Sequence, residues 1–328
     1  MTARLRIALF GALAIAAATS CAGAALALEP SPVFDHEWGL PGSGPGQFNQ
    51  PVAIAQGPSN DLYVADRRNR RIQKFDENGN FVLAWGSSGS GDGQFNLVNG
   101  VAVSPDGAFV YATDELNGRV QKFGPNGAFL GKWGSLGAGN GQFSFPEGIA
   151  VDDAGNVYVV DNGHDRIQKF DAAGTFLLAF GSSGSGPGQF FYPWDVAYFA
   201  GELFVTDTEN HRVQVFDLNG GYLRAWTTQQ PGNPTPFSPL GIDARAGHVG
   251  VMDPDAGVGH LFYLDGTHAA TFGTPGGGAG QFATPYGVAL RSNGGVYATD
   301  LTNRVLAFTA PPLAAHKTTW GRLKADRR

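Results

Sequence analysis

Residues 207–216 read Asp207-Thr208-Glu209-Asn210-His211-Arg212-Val213-Gln214-Val215-Phe216. Small polar residues suited to a tight turn lead into alternating β-branched and aromatic residues, the pattern of a strand leaving a loop. Three earlier stretches repeat it: Asp66 to Phe75 (DRRNRRIQKF), Asp114 to Phe123 (DELNGRVQKF) and Asp161 to Phe170 (DNGHDRIQKF). A shorter copy, Asp300-Leu301-Thr302-Asn303-Arg304-Val305, follows near the end, and the segment from Asp253 to Tyr263 keeps the Asp but lacks the Arg. Working outward, a phenylalanine precedes each copy, at 48, 95, 143, 190, 237 and 282, and Gly-Gln stands before all of these except Phe237. Self-similarity at 45 to 48 residues marks an array of equivalent units.

Within the third unit the residues divide into four short strands. Pro146 to Val151 is the first and Asn156 to Val160 the second; Arg166 to Phe170 and Thr175 to Phe180 follow, with turns at Asp152 to Gly155 and Ala172 to Gly174. Hairpin signals stand at the same place in other units, as Asn78-Gly79, Asn126-Gly127, Asn219-Gly220 and Asp265-Gly266. A lone four-stranded meander leaves two apolar faces bare, and a closed ring of meanders covers both without exposing an end. The fold class is therefore all-β, a six-bladed β-propeller with four antiparallel strands per blade, spanning residues 33–310. The last unit ends after its third strand, Arg304 to Phe308, so its fourth must come from elsewhere. Phe34 to Gly39 (FDHEWG) matches Phe81 to Gly86 (FVLAWG) and runs into the same Gly-rich linker, which makes the N-terminal strand the expected clasp. His316 to Gly321 (HKTTWG) is the rival donor, within a basic tail at 311–328.

Composition agrees with many turns and few helices: 49 Gly and 20 Pro in 328 residues. With 22 Lys and Arg against 28 Asp and Glu, the net charge of -6 excludes nucleic acid as a default partner. Arg4 and Arg6 precede an apolar run from Ile7 to Ala18, a secretory signal layout too short for a membrane span. Two readings of its end stand open. Cleavage after Ala27 gives a signal peptide at 1–27 and a secreted or periplasmic protein. Alternatively, Ala18-Thr19-Ser20-Cys21 resembles a lipoprotein box, with residues 1–20 removed and Cys21 lipidated, so that membrane attachment is through that anchor alone. Cys21 is the one cysteine, so no intramolecular disulfide forms.

The copies quoted above resemble the D-x-x-N-H-R-[IV]-Q-x-[FY] core of NHL repeats, and six registered units carry the resemblance from residue 33 to 310. NHL propellers include lyases, sensors, RNA-binding modules and scaffolds, so the repeat implies the fold and leaves function open. Asp and Arg recurring in nearly every unit read as blade-building groups, and the Gly-rich linkers, such as Gly86 to Gly93, as crossovers, because no helix follows them to hold a phosphate.

Departures from the repeat near one mouth of the channel are more informative. The first-strand position after the repeat Pro holds Val52, Asn99, Glu147, Trp194, Leu240 and Tyr286. The next position is small in five units and is Asp195 in the fourth. Asn99, Glu147, Trp194, Asp195 and Tyr286 are thus candidate ligand-binding residues, with His164 and His211 on neighbouring loops. Glu147 and Asp195 are the candidate ligands for a hard cation such as Ca²⁺. No cofactor is required by this reading. Resemblance to the peptidyl-hydroxyglycine amidating lyases implies an alternative, a Zn²⁺-dependent lyase drawing on His164, His211, His248 and His260, although no lyase motif surrounds them. Arg67, Arg68, Arg70 and Arg71 form a local basic cluster suited to a solvated loop or an acidic partner. The expectation is a monomeric extracytoplasmic binding, scaffold or sensor module, non-enzymatic, that takes a protein, peptide or glycan at its loop-rich face.

Overall fold

The computed structural model describes residues 29–228 and 236–310. The leader with Cys21, the rival strand at His316 to Gly321 and the tail at 311–328 lie outside the described residues. Six four-stranded antiparallel sheets are present. Blade 1 contains Pro51–Gln56, Leu62–Asp66, Arg71–Phe75 and Phe81–Trp85. Blade 2 contains Val98–Val103, Val110–Asp114, Arg119–Phe123 and Phe129–Trp133. Blade 3 contains Pro146–Val151, Val157–Asp161, Arg166–Phe170 and Phe176–Phe180, its second strand lying one residue later than its sequence pattern suggests. Blade 4 contains Pro193–Phe199, Glu202–Asp207, Arg212–Asp217 and Tyr222–Thr227. Blade 5 contains Ile242–Arg245, His248–Asp253, Val258–Tyr263 and His268–Phe272.

Blade 6 has three strands of its own, Pro285–Leu290, Val296–Asp300 and Arg304–Thr309. The fourth is Val33–Trp38, antiparallel to the third, with Val33 opposite Thr309 and Trp38 opposite Val305. The N-terminal strand thus closes the ring. Among the described residues no helix is long and apolar enough to cross a membrane.

The core lies between blades rather than within them. Ala65 and Ile72 of blade 1 share one buried cluster with Val101, Ala112 and Phe123 of blade 2, and each of the other clusters combines neighbouring blades in the same way. Outer-strand aromatics reinforce this by packing on the following blade's last turn. Trp38, Trp85, Trp133 and Trp226 lie against Gly79, Gly127, Gly174 and Gly266, where a Cβ would collide with the indole. Those turns also need positive φ, from +80° to +88°, so glycine is required twice over.

The repeated Asp is fully buried and works as a hub. Asp207 accepts from Arg212 Nε at 2.6 Å, from Gln214 Nε2 at 3.0 Å and from Asn210 Nδ2, and it also takes the backbone N–H of Phe191 at 2.8 Å. That last donor belongs to the crossover before the blade's first strand. The Arg in turn donates to crossover carbonyls, Arg212 to those of Ser185, Gly186 and Gln189. The pairs Asp66–Arg71, Asp114–Arg119 and Asp161–Arg166 repeat the arrangement at 2.7–2.8 Å. In blade 5 the Arg is missing and His260 stands in, 3.4 Å from Asp253 and stacked on Phe237.

Replacing Asp207 by Ala strands Arg212 and the crossover amide of Phe191 in a buried place. A loss of about 3–5 kcal/mol is expected for breaking such a pair from one side. Urea unfolding of Asp207→Ala measures it, and a loss below about 1 kcal/mol would refute the hub role.

Candidate functional site

The first strands approach one another around the axis so closely that side chains are excluded at one level. A Cβ on Gly100 would meet the Glu147 carbonyl, and one on Gly241 or Gly287 would meet the carbonyl of Tyr286 or Val52. This is the crowding expected from the sequence. Immediately above it, Val52, Asn99, Glu147, Trp194 and Tyr286 come together with Asp195 around a small mouth cavity of about 20 Å³. The five residues selected from the sequence as departures from the repeat are therefore neighbours in space.

Two members of the mouth come from a position that sequence reasoning did not use, the residue after the hub Asp. Arg67 donates from Nε to Asn99 Oδ1 at 2.7 Å and from its terminal nitrogen to Glu115 Oε2 at 2.6 Å. Asn99 Nδ2 donates to Glu115 Oε2 at 2.8 Å and to Glu147 Oε2 at 2.5 Å. In blades 3 and 4 the same position carries Asn162 and Thr208, which donate to the carbonyls of Pro193 and Pro239. The available signal was register: Arg67, Glu115, Asn162 and Thr208 all follow a hub Asp. The basic cluster splits accordingly, Arg71 serving a hub, Arg67 facing the mouth and Arg70 filling a left-handed turn at φ 54°. Trp194 meets Tyr286 edge to face at 5.6 Å across the mouth.

The histidines are placed differently. His164 Nδ1 lies 3.1 Å from both oxygens of Asp161, where Asn69, Asn117 and Asn210 stand in other blades. His211 occupies a left-handed position at φ 53°, equivalent to Arg70, Gly118 and Asp165. Neither lines the mouth or the channel below it. His248 faces Glu29 and His260 faces Asp253, both away from the mouth. Among the described residues no three His, Cys, Asp or Glu side chains converge as a metal centre would require. Glu147 is engaged by Asn99. The two oxygens of Asp195 accept separate backbone amides, Val196 N–H at 2.8 Å and Ile242 N–H of the next blade at 3.1 Å.

Burial dominates the electrostatics. Desolvation pushes Glu147 well above the ordinary carboxylate range; Glu115 and Asp195 push the same way, while Arg67 and the Asn99 hydrogen bond oppose them. Tyr286 is raised to about 12, first by burial and then by Glu147.

Around this mouth the loop-rich face is lopsided. Phe145 and Tyr192 stand two residues before Glu147 and Trp194 with their rings about half exposed, at 47% and 53%. Both hold left-handed backbones, φ 53° and 55°, as do Gln50 and Leu97 at the equivalent positions of blades 1 and 2, φ 57° and 68°, so this conformation belongs to the crossover of the repeat. Leu116, Leu136 and Phe191 are also exposed on the loops of blades 2 to 4, whereas the crossover into blade 1 exposes Leu40 and carries Asn49 and Gln50 at the positions of Phe191 and Tyr192.

Asp195 is raised from 3.8 to about 7, chiefly by burial, with its two amide donors pulling down and Asp243 pushing up. The folded protein therefore keeps a proton there that the unfolded chain releases near pH 4. The associated stability is full in acid and drains away as pH rises to about 7. Comparing urea unfolding of wild type and Asp195→Asn from pH 5 to pH 8, the difference should move in the variant's favour as pH rises; a pH-independent difference would contradict this assignment.

Residues 190–216 match the NHL repeat family, and residues 46–180 match the SMP-30/gluconolactonase/LRE-like region. No curated protein matches the chain. Among solved structures it is similar to a streptogramin B lyase, with a TM-score of 0.59 at 17% identity over 83% of this chain and 96% of that one. It is also similar to virginiamycin B lyase from Staphylococcus aureus, at 0.57 and 14% over 84% and 98%. Hydrazine synthase of Kuenenia stuttgartiensis follows at 0.54 and 14% over 76% and 74%. At such identities the likeness concerns the fold. The NHL match, the registered copies of the Asp–Arg hub and the closed ring of six blades together describe a six-bladed β-propeller that carries NHL repeats.

Proposed function

We propose that this protein is an extracytoplasmic binding module whose loop-rich face docks a protein partner across blades 2 to 4. The observation that carries this reading is the apolar rim of Leu116, Leu136, Phe145, Phe191 and Tyr192, each between 39% and 62% exposed. The mouth beside the rim has room for about one water, and its polar groups already satisfy one another. A small molecule finds little space there, whereas a protein surface can cover the rim and set a polar group against Glu115 and Arg67 at its edge. The leader composition supports display outside the cytoplasm, by secretion or through Cys21.

A second reading has its own support. Glu147, buried and held near Glu115 by one amide, has the form of a carboxyl acid–base group, and two of the similar structures are named as lyases. That reading draws on Glu147, Glu115 and Tyr286 rather than on a metal.

Photo-crosslinking separates the possibilities. A benzoylphenylalanine at Leu136 should give a discrete adduct with cell-surface extracts, abolished by Phe145→Asp with Tyr192→Asp; the same probe at Pro105 should give none. Equal labelling from both positions would defeat the docking reading, and glycan-array binding lost in the same double variant would replace the protein partner with a polysaccharide. Incubation with quinupristin, the compound held in a structure of virginiamycin B lyase from Staphylococcus aureus, should leave it unchanged by chromatography; a product that disappears in Glu147→Gln would establish the lyase reading instead.

A further inference from the structure

Below the mouth the channel widens into a chamber of about 460 Å³ lined by the first strands of the blades and by their first turns. The layer of Asn99, Glu147, Trp194 and Tyr286 separates it from the loop-rich face, and the exposed turn residues Pro105, Asp153 and Ala200 surround its other end. It therefore opens on the face opposite the one discussed above. Its walls are mostly small and apolar, with Ala55, Ala102, Ala150 and Ala197 at equivalent places, while blade 5 puts Asp243 there.

Asp243 and Asp195 line this chamber in a related way. Asp243 accepts its neighbour's amide, Ala244 N–H at 2.9 Å, and across the blade boundary that of Leu290 at 2.7 Å. Each oxygen of both carboxylates thus has one backbone donor, which leaves acceptor capacity on every one of them. Among the described residues neither carboxylate forms an ion pair with a Lys, Arg or His. The one cation in the lining is Arg245, and its guanidinium is committed to Gln56 across the opening, at 2.9 Å to Oε1. Asp153, the remaining acid, accepts from Tyr198 at 2.7 Å. Three carboxylates to one guanidinium in an apolar-walled space is an unbalanced lining: Arg245 attracts Asp243 without forming an ion pair with it, and burying carboxylates so sparsely matched by cations is costly.

We propose that this chamber is a binding site for a small organic cation, an alkyl- or arylalkylammonium whose charged head meets Asp195 and Asp243 while its apolar body lies along the alanine walls. The space suits a ligand of that class, since small-molecule sites run from roughly 300 to 1,000 Å³ with mainly apolar walls and a few placed polar groups. A head group with three N–H donors matches the unused acceptor capacity of the two carboxylates. An anionic ligand would instead face both acids with Arg245 already engaged. This site is independent of the docking face, because its opening lies at the other end of the ring.

Titration calorimetry on the full chain at pH 8 tests it, with n-butylammonium, 1,4-diammoniobutane and 2-phenylethylammonium as cations and 2-phenylethanol and 3-phenylpropionate as neutral and anionic counterparts. At least one cation should bind saturably with one site per chain, at least tenfold tighter than either counterpart. Asp243→Ala, which restores the residue found in the other blades, and Asp195→Asn should each weaken it at least tenfold; should one variant fail to fold, the other decides. Phe145→Ala with Tyr192→Ala should leave it unchanged, which separates this site from the docking face. Absence of binding by every cation, equal binding of phenylethanol, wild-type affinity in the folded variants, or loss of binding in the rim variant would overturn the proposal.

Discussion

The buried Asp at the end of each second strand is the constraint on which the rest of this ring depends. Burying a carboxylate is tolerable only when it is fully hydrogen-bonded and paired, and the hubs of blades 1 to 4 meet that demand from three directions. The Arg comes from the third strand, the amide from the preceding crossover, and the Asn or His from the loop between. The consequence is geometric. A crossover of twelve residues rich in glycine has little to hold it in place, yet its start, middle and end are fixed to the blade it enters. The Gly-Gln-Phe signature completes the work, the Gln side-chain oxygen taking an amide three residues back and the Phe filling the space between blades. Position of the mouth residues follows, because Glu147 and Trp194 stand four residues after such a phenylalanine.

Because the hubs are equivalent, chemistry has to arise where the units differ. Blades 2 and 3 contribute Asn99, Glu115 and Glu147 to the mouth, where blades 5 and 6 contribute Leu240 and Tyr286. Blades 4 and 5 contribute Asp195 and Asp243, each of which ties its own first strand to the next blade through a backbone amide. Adjacent first strands in a propeller meet without a regular hydrogen-bond ladder, and these two acids bridge their seams by accepting backbone amides, where the seams between blades 2 and 3 and between 3 and 4 are bridged by side chains that donate to backbone carbonyls, Thr113 to Glu147 and Asn162 to Pro193. Blade 5 is also where the hub loses its Arg, and its boundaries with both neighbours are the ones reinforced in this way.

Much of this was legible in the sequence because repeats report registration directly. The spacing of Phe48, Phe95, Phe143, Phe190, Phe237 and Phe282 is enough to count blades, and the match between FDHEWG and FVLAWG is enough to assign the clasp. The grouping of Asn99, Glu147, Trp194, Asp195 and Tyr286 was equally accessible, since equivalent positions in a ring must converge near its axis. What could not be read was side-chain direction. Arg67 belonged to an Arg-rich loop in sequence, and nothing local says that it turns to Asn99 while Arg71 turns to Asp66. Likewise His164 and His211 look like loop groups available to a ligand, whereas the first replaces an Asn beside the hub and the second answers a backbone requirement. Asp243 escaped notice for another reason: it departs from alanine in mid-strand, where the reading of the mouth did not look.

The clasp on blade 6 carries a consequence for the order of synthesis. The strand Val33–Trp38 leaves the ribosome before any blade exists, and its partner, Arg304–Thr309, is the last strand of the ring to be made. For nearly the whole of elongation the first-made segment has no partner, and the unfinished arc of blades ends in uncovered apolar faces. A chain built this way gains its final stability in one late event, and assistance that delays collapse until then would raise its yield.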